Sequence, residues 1–241
     1  MKKFISAFLT LVIAFFVFSL LYDSQSMFPK YGEKDLSKIV SQRYIEKNVD
    51  EERPYPETGS ANIVTSIVVN YRSFDTLGEL TVLFISALGV SLLLNVGGER
   101  IKFRIKPNFI LKAGVRIITG IILIVGVYIF VHGHLTPGGG FPGGAMIASS
   151  ILLMYLSDDN FKEKMNAFNV LEGTSGILII VLGLIGLFAF NSFLYNFLPS
   201  GNIGELFSAG LTPILYVLIG LKVGSELSNI VGNFLFEGGE A

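Results

Sequence analysis

The chain of 241 residues is half apolar: hydrophobic residues make up 51% of it and charged residues only 15%, with a formal net charge of −1. A soluble domain carries about 25% charged residues, so lipid is the expected solvent, and the near-neutral charge gives no basis for binding nucleic acid or an acidic substrate. The absence of cysteine excludes disulfides, iron–sulfur clusters and thiolate zinc sites within this chain, and we expect no cofactor in it.

The first predicted element is an uncharged apolar run at 4–22, behind two lysines. About 20 apolar residues are enough to cross the hydrocarbon core of a bilayer. The run exceeds the ~7–15-residue apolar core of a cleaved signal peptide, so we predict a retained transmembrane helix. The polar segment that follows, 23–57, is either a short amphipathic surface helix or a solvated linker.

The next stretch is apolar but interrupted by charge. Residues 60–70 are too few to span a membrane, and Arg72, Asp75 and Glu79 separate them from a clean apolar run at 80–96. The pattern predicts a short or re-entrant helix, a break near 73–78 and a full span. Broken backbone is tolerated at membrane depth only where protein or a wet cavity covers it, and ionisable residues in that position are candidates for function.

Four further apolar runs are predicted to span the membrane. The fold class is therefore all-α: a polytopic membrane protein with about six transmembrane helices, one of them broken or re-entrant near 60–79. The last run contains Pro213, which we expect to kink it. The four runs are 110–131, 143–156, 170–190 and 206–231.

Charges in the short loops predict the orientation of the helices. The loops at 97–108 and 157–166 contain lysine or arginine, whereas those at 132–140 and 191–204 contain neither. Both termini are therefore predicted to be cytoplasmic, in a multi-pass protein of the cell (inner) membrane. The lysines of the 23–57 segment, which would lie outside, disagree mildly with this orientation.

The most unusual stretch is HGHLTPGGGFPGG, which begins with the chain's only histidines, His132 and His134. Its G-x-G-x-x-G spacing is not a dinucleotide site, because that site needs a preceding strand. No further His or Cys completes a metal site, so none is expected. The histidines bond to backbone or water, or relay protons. Close helix packing is predicted for the glycines Gly138, Gly139, Gly140, Gly143 and Gly144, and for the pair Gly220 and Gly224.

Arg72, Asp75 and Glu79 fall on one helical face. In the functional interpretation, a carboxylate takes up and releases H⁺ or a cation under the influence of the nearby guanidinium. In the structural interpretation, an ion pair closes the helix break. The cost of placing charge in lipid favours function.

Lys222 and Glu226 are also four residues apart, toward the end of the last predicted span. A lysine at a helix end is expected to extend its ammonium to the membrane surface; a buried proton-relay lysine is the alternative. Glu172 is expected to be interfacial. No nucleophile–base pair or metal cluster is present, so we do not expect the chain to be an enzyme on its own.

The segment PETGSANIVTSIVVNYRSFDTLGELTVLFISALGV resembles the E-type subunit of archaeal membrane-bound hydrogenases and part of the C-terminal extension of the large subunit of Mrp-type antiporters. The strings HGHLTPGGGFPGGAMIASSILLMYL, LEGTSG and TPILYVLIGLKVGSEL resemble the MnhB/MrpB family. The resemblance implies an E-like element at 58–106 and a four-helix MnhB/MrpB-like domain at 107–241. The N-terminal helix and the polar segment after it, predicted to be extracytoplasmic, form a first region at 1–57.

What the resemblance implies about function is a non-catalytic subunit of a membrane complex, beside antiporter-like subunits in the lipid bilayer, that helps to couple Na⁺ and H⁺ movement. The presence of both elements in one chain favours a ferredoxin-oxidising hydrogenase or sulfur reductase complex over a stand-alone Mrp antiporter. The expected ion path uses Asp75 and Glu79, with His132 or His134 at the outer end and Lys222 with Glu226 at the inner end. A purely structural scaffold is the alternative.

Overall fold

Helices provide almost all the regular structure in the computed structural model, which describes residues 2–23, 40–49, 57–95, 108–157 and 165–236. These residues contain no strand, and five of their helices are long and apolar enough to cross a membrane. The predicted all-α polytopic fold is confirmed. The two basic loops on which the predicted orientation mainly depends lie largely outside the described residues.

The N-terminal unit contains helix α1, Lys2–Asp23. It forms where the first apolar run predicts a helix, and its apolar stretch Ala7–Leu20 is exposed throughout. A helix of this length extends about 33 Å, which matches the thickness of the hydrocarbon core.

The rest of the described chain contains eight further helical segments. A short amphipathic helix, α2, lies within the polar segment. After it a single helical turn, α3, continues directly into a π-helix, and α4 to α8 are the five membrane-length helices. Their bounds are α2 Val40–Val49, α3 Ile63–Thr65, the π-helix Ser66–Tyr71, α4 Ser73–Asn95, α5 Phe109–Val131, α6 Gly140–Ser157, α7 Met165–Phe190 and α8 Thr212–Phe236.

The interrupted helix is present near 60–79, but the break is not where the sequence predicts it. Helix α4 runs without interruption from Ser73, and the helical backbone departs instead at Arg72, with φ −126° and ψ 36°. The wider π-helix leaves backbone carbonyls unpaired at its end. The Thr76 hydroxyl satisfies one of them by donating to the Val68 carbonyl at 2.7 Å. The helix break is therefore at Arg72, and its predicted position, 73–78, is wrong.

Helix α8 begins six residues later than predicted, and Pro213 does not kink it. Ala209 and Gly210 have left-handed backbone, with φ 65° and 61°, which excludes them from a helix. Pro213 therefore lies in the first turn, where its missing N–H costs nothing. Because α8 begins later and ends at Phe236 rather than 231, Lys222 and Glu226 lie closer to the middle of the helix than the predicted bounds place them.

Helix α8 is the centre of the bundle, because α4, α5, α6 and α7 all pack against it. Its contact with α6 is unusually close: a Cβ added at Gly144 would lie 2.8 Å from the Gly220 carbonyl oxygen and 2.9 Å from the Gly224 nitrogen. On the other side of α6, a Cβ at Gly143 would lie 2.8 Å from the Gly126 carbonyl oxygen of α5. The glycines of α6 thus allow its backbone to contact the backbones of both α5 and α8.

Replacing Gly144 by alanine is expected to lower the free energy of unfolding by about 1–3 kcal/mol, because the methyl group would overlap backbone that has no freedom to yield. The matched control is Gly120→Ala on α5, where nothing lies within 4 Å of an added Cβ; it should be neutral or stabilising by up to about 1 kcal/mol. Thermal unfolding in detergent measures both. Equal stability of the two variants would contradict the close α6–α8 contact.

Candidate ion-handling site in the membrane

Among the described residues, α8 carries a buried ion pair. The Lys222 ammonium is 3.3 Å from Glu226 Oε2, and the side chains are 12% and 0% exposed. Lys222 comes ten residues after Thr212 and fourteen before Phe236, so about 15 Å and 21 Å of helix separate it from the two ends. The prediction that the Lys222 ammonium extends to the membrane surface is therefore wrong, because the side chain is buried; a role of this lysine in a proton relay stays a prediction.

The lysine head is covered by α4 and α7. Its ammonium lies over the Phe84 ring, 5.1 Å from the centroid, where the ring's quadrupole attracts a cation. Gly176 of α7 leaves room for the lysine stem, since a Cβ there would lie 3.7 Å from Cδ. A cavity of about 250 Å³ adjoins the lysine, and its walls include Leu77, Leu80, Thr81, Phe84, Glu172, Gly173, Gly176, Ile177, Ile179 and Ile180.

The glutamate end of the pair is poorly satisfied. Both carboxylate oxygens of Glu226 are buried without a hydrogen-bond partner among the described residues, so the contact with Lys222 is an ion pair without hydrogen-bond geometry. One turn further on, Asn229 donates to Glu172 Oε2 at 2.8 Å, while its own Oδ1 is buried and unpaired. Buried polar atoms without partners are costly, which makes this cluster a candidate for function.

A second cavity, of about 340 Å³, lies beside the carboxylates between α4, α7 and α8. At the far end of this cavity, Asn233 of α8 donates to the Ser91 hydroxyl of α4. The two cavities share Phe84, Glu172 and Gly173, so the Glu172 carboxylate lies between the lysine and the Glu226 sides of the site. The second cavity is lined by Phe84, Ala87, Leu88, Ser91, Asn169, Glu172, Gly173, Glu226, Asn229, Ile230 and Asn233.

Sequence reasoning missed Glu172 and Asn229 as members of this cluster. Helix α7 begins at Met165, so Glu172 lies about 10 Å along the helix, where it accepts a hydrogen bond from Asn229 of α8. A signal was available on α8, where Lys222, Glu226 and Asn229 recur at helical spacing along one face of an otherwise apolar helix.

The charged triplet of α4 is not part of this cluster. Arg72 Nε donates to Asp75 Oδ2 at 2.5 Å, and both side chains are exposed, as is Glu79. The Arg72–Asp75 pair lies at the helix break. Phe84, which covers the Lys222 ammonium, lies nine residues beyond Asp75 and five beyond Glu79, or about 14 Å and 7.5 Å along α4. Asp75 is therefore distant along α4 from the Lys222 ammonium.

The histidines lie at the end of α5, where the interrupted helix is anchored. His134 is fully buried, and its carbonyl accepts hydrogen bonds from Ser60 Oγ at 2.8 Å and Asn62 N at 3.0 Å. Its Nε2 is 3.4 Å from the Glu205 carbonyl oxygen. Burial lowers the pKa of His134 below its usual 6.5, which favours the neutral ring. His132 stacks on Tyr128 with centroids 4.2 Å apart.

Two family models match this chain. One describes a domain related to the MnhB subunit of Na⁺/H⁺ antiporters and matches residues 110–229; the other describes the E subunit of MBH and matches 33–104. A chain in the structure of the membrane-bound sulfane sulfur reductase, an archaeal respiratory membrane complex, is 43% identical, with a TM-score of 0.74 over 98% of this chain and 99% of that one. The chain belongs to this MnhB-related family.

Two antiporter relatives extend the family assignment. The B subunit of the Na⁺/H⁺ antiporter of Bacillus subtilis is 29% identical, over 52% of this chain and 93% of that protein. A longer chain of the Mrp complex from Dietzia is 25% identical, with a TM-score of 0.68 over 95% of this chain and 26% of that one. This MnhB-related chain is accordingly a membrane subunit of a cation-translocating module.

Replacing Lys222 by methionine is expected to destabilise the assembled complex by up to about 3–5 kcal/mol, because Glu226 is left buried without its cation; protonation of the carboxylate would reduce this cost. The double variant Lys222→Met with Glu226→Gln should recover most of the loss, since a neutral pair carries no unpaired charge. Thermal unfolding of the complex measures both. A double variant as unstable as the single one would show that the two charges are not coupled.

Proposed function

We propose that this MnhB-related chain is a subunit of the membrane arm of a ferredoxin-oxidising respiratory complex of the sulfane sulfur reductase or hydrogenase type, and that it contributes to coupled Na⁺/H⁺ movement. The observation that carries the proposal is the 43% identity over nearly the full length of a chain from the sulfane sulfur reductase. The redox chemistry would belong to other subunits, and this chain would supply part of the ion path.

A subunit of a stand-alone Mrp antiporter is the second candidate, supported by the Bacillus and Dietzia relatives. The fusion of the two elements does not decide between them, because a single longer chain of the Dietzia complex aligns with 95% of this chain. The expectation that the fusion favours a respiratory complex therefore stays a prediction. The higher identity to the sulfur reductase chain, 43% against 25%, is what favours the respiratory complex.

The ion path that we propose has two parts in this chain. Within the membrane, Lys222 and Glu226 supply a buried pair of opposite charges that H⁺ or a cation passes. Toward the other end of α4, Asp75 and Glu79 are exposed and would continue the path against a neighbouring antiporter-like subunit.

The two histidines and the apolar helix faces complete the proposal: the first lie at the outer end of the ion path, and the second contact lipid and other subunits. His132 and His134 would lie at the outer end, with both termini cytoplasmic. Lipid and neighbouring subunits would cover the exposed apolar faces of α5 and α7, since close packing of helices stabilises membrane assemblies.

Purification of the native complex through a tag on this chain tests the proposal. We expect an iron–sulfur arm without nickel for a sulfur reductase or with nickel for a hydrogenase, together with antiporter-like subunits. Reconstituted vesicles of that complex should show Na⁺-dependent proton movement when reduced ferredoxin is supplied. Co-purification of antiporter subunits alone would replace the proposal by the Mrp candidate, and recovery of the chain without membrane partners would overturn both.

A further inference from the structure

We propose that Glu226, Glu172 and Asn229 form a binding site for one monovalent cation of the Na⁺ type, and that the Lys222 ammonium occupies the position of that cation when the site is empty. The inference rests on the proposed function, because Na⁺ movement is the activity that such a site would serve. The inference adds to the proposed ion path a bound cation, the residues Glu172 and Asn229, and the direction from which the cation enters.

The unpaired oxygens are the first argument. Glu226 Oε1 and Asn229 Oδ1 are buried without a hydrogen-bond partner among the described residues, and Glu226 Oε2 contacts the Lys222 ammonium at 3.3 Å. Glu226 is 0% and Asn229 8% exposed. Carboxylate and amide oxygens are the ligands that hard cations prefer. Asn229 also holds Glu172 in place through its Nδ2, so the two carboxylates are presented on the same side of α8.

The charge balance is the second argument. With both carboxylates ionised and Lys222 protonated, the three side chains carry a net charge of −1. One monovalent cation neutralises that charge, whereas a divalent ion would leave an excess positive charge in a low-dielectric region, which is costly.

The third argument is space and access. The 340 Å³ cavity beside Glu226, Glu172 and Asn229 is large enough for a cation that keeps some of its water, and Ser91 and Asn233 add polar groups to its walls. Helices α4 and α7 form its two sides and α8 its floor. A cation would therefore enter between α4 and α7, from a neighbouring subunit or from the membrane interface, and not along the axis of the bundle.

Space next to Lys222 allows its ammonium to move when a cation binds. Its contact with Glu226 lacks hydrogen-bond geometry, and the adjoining 250 Å³ cavity contains Phe84 and the bare backbone of Gly176. A cation next to Glu226 repels the ammonium strongly in this environment. The ammonium can then move toward the Phe84 ring, which still stabilises a cation. Lys222 and Na⁺ thus compete for one carboxylate.

Equilibrium binding of ²²Na⁺ to the purified native complex tests the site. Glu226→Gln and Glu172→Gln should each weaken Na⁺ binding by roughly 10-fold or more, the scale on which loss of ligand-shell groups affects metal sites. Glu46→Gln is the matched control: Glu46 is an exposed carboxylate of α2 and its replacement should leave binding unchanged.

Competition between Lys222 and Na⁺ predicts that replacing the lysine has the opposite effect on Na⁺ affinity. Lys222→Met should tighten Na⁺ binding, because the competing ammonium is gone, and Na⁺ should raise the thermal stability of that variant more than that of the native complex. A purely structural ion pair predicts neither effect. If the Lys222→Met complex does not assemble, the two glutamine variants decide the question.

Native Na⁺ affinity in both Glu226→Gln and Glu172→Gln would overturn the cation site. The proposed function is judged separately, from Na⁺-dependent proton movement by the unmodified complex. Loss of proton movement in the two variants with Na⁺ affinity unchanged would therefore reject the cation site and keep the function.

Discussion

The close backbone contact between α6 and α8 fixes the geometry of the rest of the bundle. Gly144 touches the Gly220 and Gly224 backbone, so α8 has no freedom to rotate against α6. Each helical residue advances by about 100°, and Lys222 and Glu226, two positions after the two glycines of α8, therefore point away from α6. Because one face of α8 packs against α6, the charged residues of α8 face α4 and α7.

The buried charges are poor candidates for stabilising elements. A buried ion pair contributes to stability only when its geometry and its further hydrogen bonds are good, and Glu226 has no hydrogen bond among the described residues. Asn229 uses its side-chain amide to bind Glu172 and leaves its own oxygen unpaired. Because this arrangement costs stability and adjoins two cavities, we favour a role in ion movement over a role in stabilising the fold.

Much of this fold follows directly from the sequence. Long apolar runs locate the membrane helices, and the spacing of Gly220 and Gly224 by itself indicates a close helix contact. These features are local, because hydrophobic length and helical period depend on the residues of one segment.

The errors came from positions that depend on other segments. The apolar residues before Thr212 look like the start of a helix, but the left-handed backbone at Ala209 and Gly210 excludes them. Helix α8 also continues to Phe236, past the predicted end at 231, so Lys222 lies farther from the helix end than predicted. The role of the charged triplet around Asp75 in ion movement stays a prediction; the structure shows that its side chains are exposed. Glu172 joins the site only through a contact with α8, which no pattern within α7 indicates.

The central claim is that the cavity beside Glu226 is a place where a cation binds. The chain has no cysteine, so Ser91→Cys places a single thiol of this chain at the wall of that cavity. A small cationic thiol reagent should label it in the native complex, and Na⁺ should slow the labelling in a manner that Glu226→Gln abolishes. A thiol that is never labelled, or that is labelled at the same rate with and without Na⁺, would contradict the account.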